Sequence, residues 1–97
     1  MSITAYNFSS PTCAPCKVIK PALDDLKEEF PDIQWISVNV QNDPHNYAQK
    51  LGVNSWPTTV VIARDAVGNT LSTEKHSGTA MMGYYRIIRN AIKTANA

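Results

Sequence analysis

The chain has 97 residues and a formal net charge of +1, with 43% hydrophobic and 18% charged residues. This length and composition predict one globular domain, residues 1–97, with a single modest core. The lysines and arginines form no basic stripe and no run of about 18 apolar residues occurs, so neither a nucleic-acid partner nor a membrane span is predicted.

The first part of the chain predicts a strand, a long helix and a second strand. Alternating β-branched and aromatic residues over Ser2–Phe8 indicate the first strand. Apolar residues then recur at helical spacing over Ala14–Glu29, and Pro31 ends this helix. The apolar face consists of Ile19, Leu23, Leu26 and Phe30. The segment DIQWISVNV, Asp32–Val40, predicts the second strand.

The middle of the chain predicts a short helix followed by a hairpin. The short helix spans His45–Leu51, with Pro44 at its first position and Gly52 at its end. The segments Pro57–Asp65 and Thr70–His76 are rich in β-forming residues and are joined by a tight loop. They are therefore predicted to be the third and fourth strands.

A last helix completes the predicted order β-α-β, short helix, β-β-α. Thr79 is expected to cap it, and its buried face would carry Met81, Tyr85, Ile88 and Ile92. The first two strands are joined through a helix and should be parallel, whereas the last two are joined by a tight loop and should be antiparallel. We therefore expect a four-stranded mixed sheet with helices on both faces.

The two cysteines, Cys13 and Cys16, are separated by two residues at the predicted start of the first helix. A thiol attacks only as the thiolate, and with an ordinary pKa of about 8.5 only a few per cent is ionised near pH 7. The unpaired N–H groups and the dipole at a helix N-terminus stabilise that anion. The spacing also lets Cys16 resolve a mixed disulfide formed at Cys13. Pro15 is compatible with a first helical turn, and Lys17 adds positive charge.

Other interpretations of this pair remain open from the residues alone. A metal site would need two further ligands, for which the sequence offers only His45 and His76, each alone in its segment and expected to be exposed. Two copies of the chain could also share a metal or a cluster through their paired thiolates. The cysteines could, finally, be inert residues of the core.

Several motifs together resemble the thioredoxin family. They are TCAPCK followed by Pro21, then SWPTTVVI, then SGT after a further strand. The resemblance covers essentially the whole chain and implies a thioredoxin fold that lacks the extra N-terminal strand and helix, a minimal core also seen in glutaredoxins. Pro21 would kink the first helix without ending it.

The resemblance implies a role for several residues. Cys13 would be the exposed attacking thiolate and Cys16 the more buried resolving thiol. Pro57 would be a cis-proline facing the two sulfurs, and the backbone of Trp56 would pair with the substrate chain. Gly78 would keep a neighbouring loop low, so that a protein disulfide can approach.

The sequence also departs from the family pattern. Thr12 replaces the tryptophan that usually precedes the first cysteine, and Ala14 replaces a glycine before Pro15; these three residues are expected to contribute to substrate binding. Asn7 stands where the family carries a buried aspartate, and Ser37 where it carries the lysine partner of that aspartate. The resemblance implies that this aspartate accepts the proton of the resolving thiol. Because asparagine cannot titrate, water or another group would have to accept that proton here.

We therefore predict a thiol-disulfide oxidoreductase that reduces protein disulfides through Cys13 and Cys16, with no cofactor or metal beyond its own redox-active disulfide. Its partners would be disulfide-containing proteins and a reductant of the thioredoxin-reductase or glutathione type. With no signal-like segment visible in MSITAYNF, we expect a cytoplasmic monomer. The alternatives are a glutathione-dependent, glutaredoxin-like reductase and a non-redox subunit that binds through the apolar surface around the CAPC motif.

Overall fold

The computed structural model describes residues 1–97 and contains four strands and three helices in the predicted order. The strands are β1 (Ser2–Ser9), β2 (Gln34–Asn39), β3 (Thr58–Arg64) and β4 (Thr70–Ser77), and the helices are α1 (Ala14–Glu29), α2 (Tyr47–Lys50) and α3 (Met81–Ala95). The sheet order is β2-β1-β3-β4, with β1 parallel to β2 and antiparallel pairing in β1-β3 and β3-β4. The predicted mixed sheet is confirmed.

Side chains of β1 alternate between two cores, one on each face of the sheet. Ala5 packs with Leu26 of α1 and Ile88 of α3, and all three are fully buried. Tyr6 and Phe8 point to the opposite face, where apolar residues of α2 cover them. Because both faces of the sheet are covered, the prediction of helices on both sides is confirmed. None of the three helices combines the length and the hydrophobicity needed to cross a membrane.

Helix α1 continues through Pro21, as the apolar pattern predicted. Its C-terminal end lies at Phe30, whose N–H donates to the carbonyl of Leu26 at 2.9 Å, and Pro31 follows. The apolar face on both sides of Pro21 packs against the sheet, which supplies the stabilisation that a proline removes from a helix interior.

The short helix α2 begins later than predicted. The carboxylate of Asp43 accepts the N–H groups of Tyr47 and Ala48 at 3.1 and 2.9 Å, and Asn46 adopts a left-handed conformation with φ of 56°. Pro44 therefore lies in the preceding turn, and its predicted place at the first helical position is wrong. The Asp43 side chain satisfies the N–H groups at the start of the helix, so the helix needs no proline there.

Helix α3 differs from the prediction in its cap and in its buried face. Its N-cap is Ala80, with no side-chain cap, so the predicted role of Thr79 is wrong. Ile88 is fully buried as expected, whereas the other three predicted residues are only partly buried. The buried face consists of Gly83, Tyr84, Ile87, Ile88, Ala91 and Ala95. The small residues on this face let the helix approach the sheet closely.

Helix α3 packs tightly against β4 where Gly83 meets His76. A Cβ atom at Gly83 would overlap the imidazole ring. That ring lies edge-on to the ring of Tyr84, with centroids 4.6 Å apart, and its Nε2 is 2.9 Å from the carbonyl oxygen of Ala80. His76 is therefore half-buried, and the expectation that it is an exposed surface residue is wrong. His45 is exposed as expected.

We predict that the effect of Gly83→Ala on stability changes sign with the residue at position 76. In the wild-type background the new methyl group should lower the free energy of unfolding by about 1–3 kcal/mol, the usual cost of overpacking. In a His76→Ala background the same change should raise it by up to about 1 kcal/mol, because alanine favours helix over glycine. Urea unfolding of the four proteins measures both values, and an equal effect in both backgrounds would contradict the contact.

Candidate active site

Cys13 and Cys16 form a disulfide at the start of α1, with Cα atoms 5.3 Å apart. Cys13 is the N-cap residue, in an extended conformation with φ of −90° and ψ of 106°, and its sulfur accepts the N–H of Cys16 at 3.1 Å. An N-cap side chain normally accepts this bond through oxygen. In the reduced protein the same N–H and the helix dipole stabilise negative charge on the Cys13 sulfur.

The two cysteines are almost equally buried in this oxidised form. Cys13 is 9% exposed and Cys16 is 7% exposed. The prediction that Cys13 is the exposed member of the pair is therefore wrong for the disulfide. One reason is the carbonyl oxygen of Trp56, which lies 3.7 Å from the Cys13 sulfur and covers it from the side of β3.

The Trp56-Pro57 segment faces the disulfide as predicted, and its peptide bond is cis. Pro57 is buried, and the Trp56 side chain remains 40% exposed. The carbonyl of Pro57 accepts the N–H of Gly78 at 2.9 Å, so the loops that precede β3 and follow β4 are joined. The structure thus brings the predicted residues Trp56 and Pro57 beside the cysteine pair, and Gly78 is joined to them through its hydrogen bond to Pro57.

Tyr84 of α3 supports this arrangement from the core. Gly78 has φ of +96°, a conformation that favours glycine, and its carbonyl accepts the hydroxyl of Tyr84. Burial raises the pKa of Tyr84 to about 12, because the charged phenolate would be poorly solvated there. The loop beside the disulfide is therefore held by a neutral, buried tyrosine that the sequence did not single out.

The loop before Cys13 is held by a side chain that the sequence interpretation missed. Gln41, which follows β2, donates its Nε2 to the hydroxyls of Ser10 at 3.0 Å and Thr12 at 3.3 Å. The N–H of Cys13 donates to the Ser10 carbonyl at 3.1 Å. Thr12, which replaces the tryptophan of the family pattern, is thus fixed by hydrogen bonds. No local sequence signal connects Gln41 to a loop about thirty residues earlier.

Polar residues form a row across the sheet beneath α1. The strand registers place Ser37 beside Asn7 and Asn7 beside Thr59. Thr59 donates its hydroxyl to Asn7 Oδ1 at 2.7 Å, and Lys27 of α1 donates to the hydroxyl of Ser37 at 3.4 Å. Asn7 and Ser37, which stand where the family carries an aspartate and a lysine, therefore lie side by side, and the ammonium group near Ser37 comes from α1, not from β2.

The structure contains no group of three or more His, Cys, Asp or Glu side chains that could hold one metal ion. His45 and His76, the candidate ligands in the sequence, do not form such a group with the cysteines. The two cysteines at the start of α1 are instead bonded to each other. This arrangement can cycle between dithiol and disulfide.

A comparison of the sequence with family models matches the Thioredoxin family over residues 3–82. The chain belongs to the thioredoxin family. A curated thioredoxin of Haemophilus influenzae is 39% identical over 62 residues, which are 63% of this chain and 57% of that protein. The thioredoxin-family match includes both cysteines and the Trp56-Pro57 segment.

Solved structures confirm the thioredoxin fold. A thioredoxin from Fasciola hepatica superposes with a TM-score of 0.77 at 24% identity, covering 93% of this chain and 81% of that one. A thioredoxin from Trypanosoma brucei brucei gives a TM-score of 0.76 at 26% identity, covering 95% and 76%. The fold predicted from the CAPC, Pro57 and Gly78 motifs is therefore confirmed.

The matched segment spans about half the length of most of the curated relatives, for example 38% and 46% of two thioredoxins from Arabidopsis thaliana. The relatives also include mitochondrial and chloroplast thioredoxins. Family membership therefore does not fix the compartment, and the cytoplasmic location stays a prediction.

We predict that Tyr84 makes the stability of this thioredoxin-family chain pH-dependent under alkaline conditions. The folded state retains the phenol proton up to about pH 12, whereas the unfolded state loses it near the ordinary value of 10.0. The stabilisation that Tyr84 contributes is therefore complete below its pKa in the unfolded state. It is lost as the pH rises through its pKa in the folded state. Urea unfolding at increasing pH should show a steeper loss in wild type than in Tyr84→Phe, and parallel curves would contradict this.

Proposed function

We propose that this chain reduces disulfide bonds in other proteins by dithiol exchange. The observation that carries the proposal is the bonded Cys13–Cys16 pair at a helix N-terminus, with the Cys13 sulfur accepting the N–H of Cys16. Membership of the thioredoxin family supports a thiol-disulfide oxidoreductase. The Trp56 carbonyl beside Cys13 gives a substrate chain a backbone acceptor at the point of reaction.

The proposed cycle moves two electrons from the dithiol to the substrate. The Cys13 thiolate attacks a substrate disulfide, so that a mixed disulfide forms and the first substrate thiolate leaves and takes up a proton. Cys16 then loses its proton and attacks the Cys13 sulfur. The Cys13–Cys16 bond forms, and the second substrate thiolate leaves. A reductant of the thioredoxin-reductase or glutathione type returns two electrons and two protons.

The surface around the disulfide supports a protein substrate. Ala14 and Pro15 are exposed, Val18 is 72% exposed, and Trp56 contributes a 40% exposed indole ring. Exposed apolar side chains grouped beside a reactive sulfur favour docking of an apolar partner surface. The open space above Gly78, where a Cβ would meet no atom within 4 Å, leaves room for a bulky partner.

The two alternative functions differ from this proposal in what they require of the sulfurs. A glutathione-dependent reductase would use the same cysteines but take its electrons from glutathione. A binding subunit would use the surface around CAPC without electron transfer, and a Cys13→Ser/Cys16→Ser protein would keep its activity. Monomeric state, cytoplasmic location and the lack of a bound cofactor are part of our proposal, and sedimentation, cell fractionation and absorption spectra test them.

We predict that the two cysteine variants fail at different steps of insulin reduction. Cys13→Ser should show no turnover and form no covalent complex, because the attacking sulfur is gone. Cys16→Ser should also lose turnover but accumulate a mixed disulfide through Cys13, visible by non-reducing electrophoresis and mass spectrometry. The proposed function would be refuted if the wild-type protein did not reduce insulin and the Cys16→Ser variant trapped no mixed disulfide.

We predict that Trp56→Ala weakens reaction with protein disulfides more than with small ones. Loss of the indole ring should raise KM for insulin on the order of tenfold, the effect of about 1.4 kcal/mol of lost contact. The rate with a small neutral disulfide should change little, because Cys13 and the Trp56 carbonyl remain. Val67→Ala, which removes another exposed apolar side chain (87% exposed) in the β3-β4 loop, is the control and should change neither value. Equal effects on both substrates would contradict a docking role.

A further inference from the structure

A cavity of about 250 Å³ lies beside Cys16, between α1 and the edges of β1, β2 and β3 that face the disulfide. Its walls include Asn7, Ser37 and Pro57 as well as Cys16. The volume is enough for several water molecules or one small organic ion. Because Cys16 is one of its walls, any occupant lies next to the resolving thiol.

The cavity has a positive charge. Lys17, Lys20 and Lys27 line it, and Asp24 is the one acidic residue among the lining residues, which leaves a net charge of +2. Lys20 contacts Asp24 at 2.9 Å, whereas Lys27 lies 3.7 Å from it and also donates to a serine of β2. Lys27 is 32% exposed and so is partly withdrawn from solvent. A cavity of this charge attracts anions.

Asn7 adds a hydrogen-bond donor without a partner. The residue is more than nine-tenths buried, with 7% exposed, and its Oδ1 accepts the hydroxyl of Thr59. Its Nδ2 has no hydrogen-bond partner. A buried donor left unpaired costs about 1–3 kcal/mol. An occupant with acceptor oxygens would satisfy this donor and the lysines at once.

Asp24 is a poor candidate for the base that deprotonates Cys16. It lies eight residues further along α1, which corresponds to about 12 Å of helical rise. The hydrogen bond from Lys20 is the main reason why the pKa of Asp24 lies below its ordinary value. A carboxylate that is stabilised in this way, and half-exposed, takes up protons weakly. The proton acceptor must come from elsewhere.

We propose that the cavity binds a small oxyanion, of the size of formate, acetate or bicarbonate, and that this anion accepts the proton of Cys16. The carboxylate oxygens would receive hydrogen bonds from Asn7 Nδ2 and charge stabilisation from Lys20 and Lys27. The site takes a free ion in place of a carboxylate side chain, because Asn7 itself cannot titrate.

The proposed step rests on the proposed dithiol function. The Cys16 S–H proton passes to the oxyanion, and the resulting thiolate attacks the Cys13 sulfur of the mixed disulfide. The Cys13–Cys16 bond forms as the bond from Cys13 to the substrate sulfur breaks. The substrate thiolate leaves and recovers a proton from the protonated anion or from water, so the anion is regenerated.

Stopped-flow reaction of the reduced protein with 4,4′-dithiodipyridine, a neutral disulfide, tests the step. The first thiopyridine is released by attack of Cys13 and the second by attack of Cys16. Acetate should accelerate the second phase on the order of tenfold with saturation, at the low end of general base catalysis, and leave the first phase unchanged. Acetamide, its neutral counterpart, and chloride at equal ionic strength should not accelerate it. A linear response or no response to acetate would overturn the proposal.

Variants locate the effect in the cavity. Lys27→Met should weaken the acetate response, whereas Lys50→Met, an exposed lysine of α2, should leave it unchanged. Asn7→Asp should make the second phase fast without acetate, because the carboxylate is then part of the chain. Asp24→Asn should retain or strengthen the response, and loss of the second phase in this variant would show that Asp24 is the base and overturn the proposal.

Binding has its own readout that does not depend on redox activity. In ¹⁵N-labelled oxidised protein, titration with formate should shift the side-chain amide signal of Asn7 with saturation, and Lys27→Met should weaken that binding. No saturable shift would overturn the anion site even if insulin is reduced. A saturable shift in a protein without a first kinetic phase would instead support the site and refute the proposed function.

Discussion

Strand β1 hydrogen-bonds to a neighbour on each side and is buried on both faces, and the position of every reactive group follows from this constraint. Its parallel pairing with β2 requires the crossover through α1, so the chain leaves β1 and enters the helix at Cys13. Its antiparallel pairing with β3 sets Phe8 opposite Thr58. The residues just beyond these two, Trp56-Pro57 on one strand and the loop to Cys13 on the other, must therefore meet.

The same strand registers create the polar row that replaces an acid-base pair. Ser37, Asn7 and Thr59 lie side by side across the sheet, and Asn7 and Thr59 are buried whereas Ser37 is exposed. Asn7 satisfies its oxygen through Thr59 but leaves its nitrogen unpaired. The unpaired nitrogen of Asn7 costs stability, and the anion site proposed beside Cys16 would supply its missing partner.

Helix α3 couples the core to the disulfide. Gly83 allows the helix to pack against the His76 ring, which brings Tyr84 under the loop that carries Gly78. Gly78 in turn donates its N–H to the carbonyl of Pro57. The surface that would meet a substrate is thus supported by a continuous chain of contacts from a buried helix, so changes far from the sulfurs are expected to alter its geometry.

The sequence by itself determined the elements whose signals are local: the cysteine pair at a helix start, the strand and helix order, the continuation of α1 through Pro21, and the family motif around Pro57. The tertiary structure decided which contacts form between segments that are distant in the sequence. Gln41 holds the loop before Cys13 across about thirty residues, His76 is partly covered by α3, and an ammonium group reaches the polar row from Lys27. Periodicity and spacing report which face a residue occupies, but not which side chain of another element fills the space opposite it, because that depends on strand register and on the distance between packed layers.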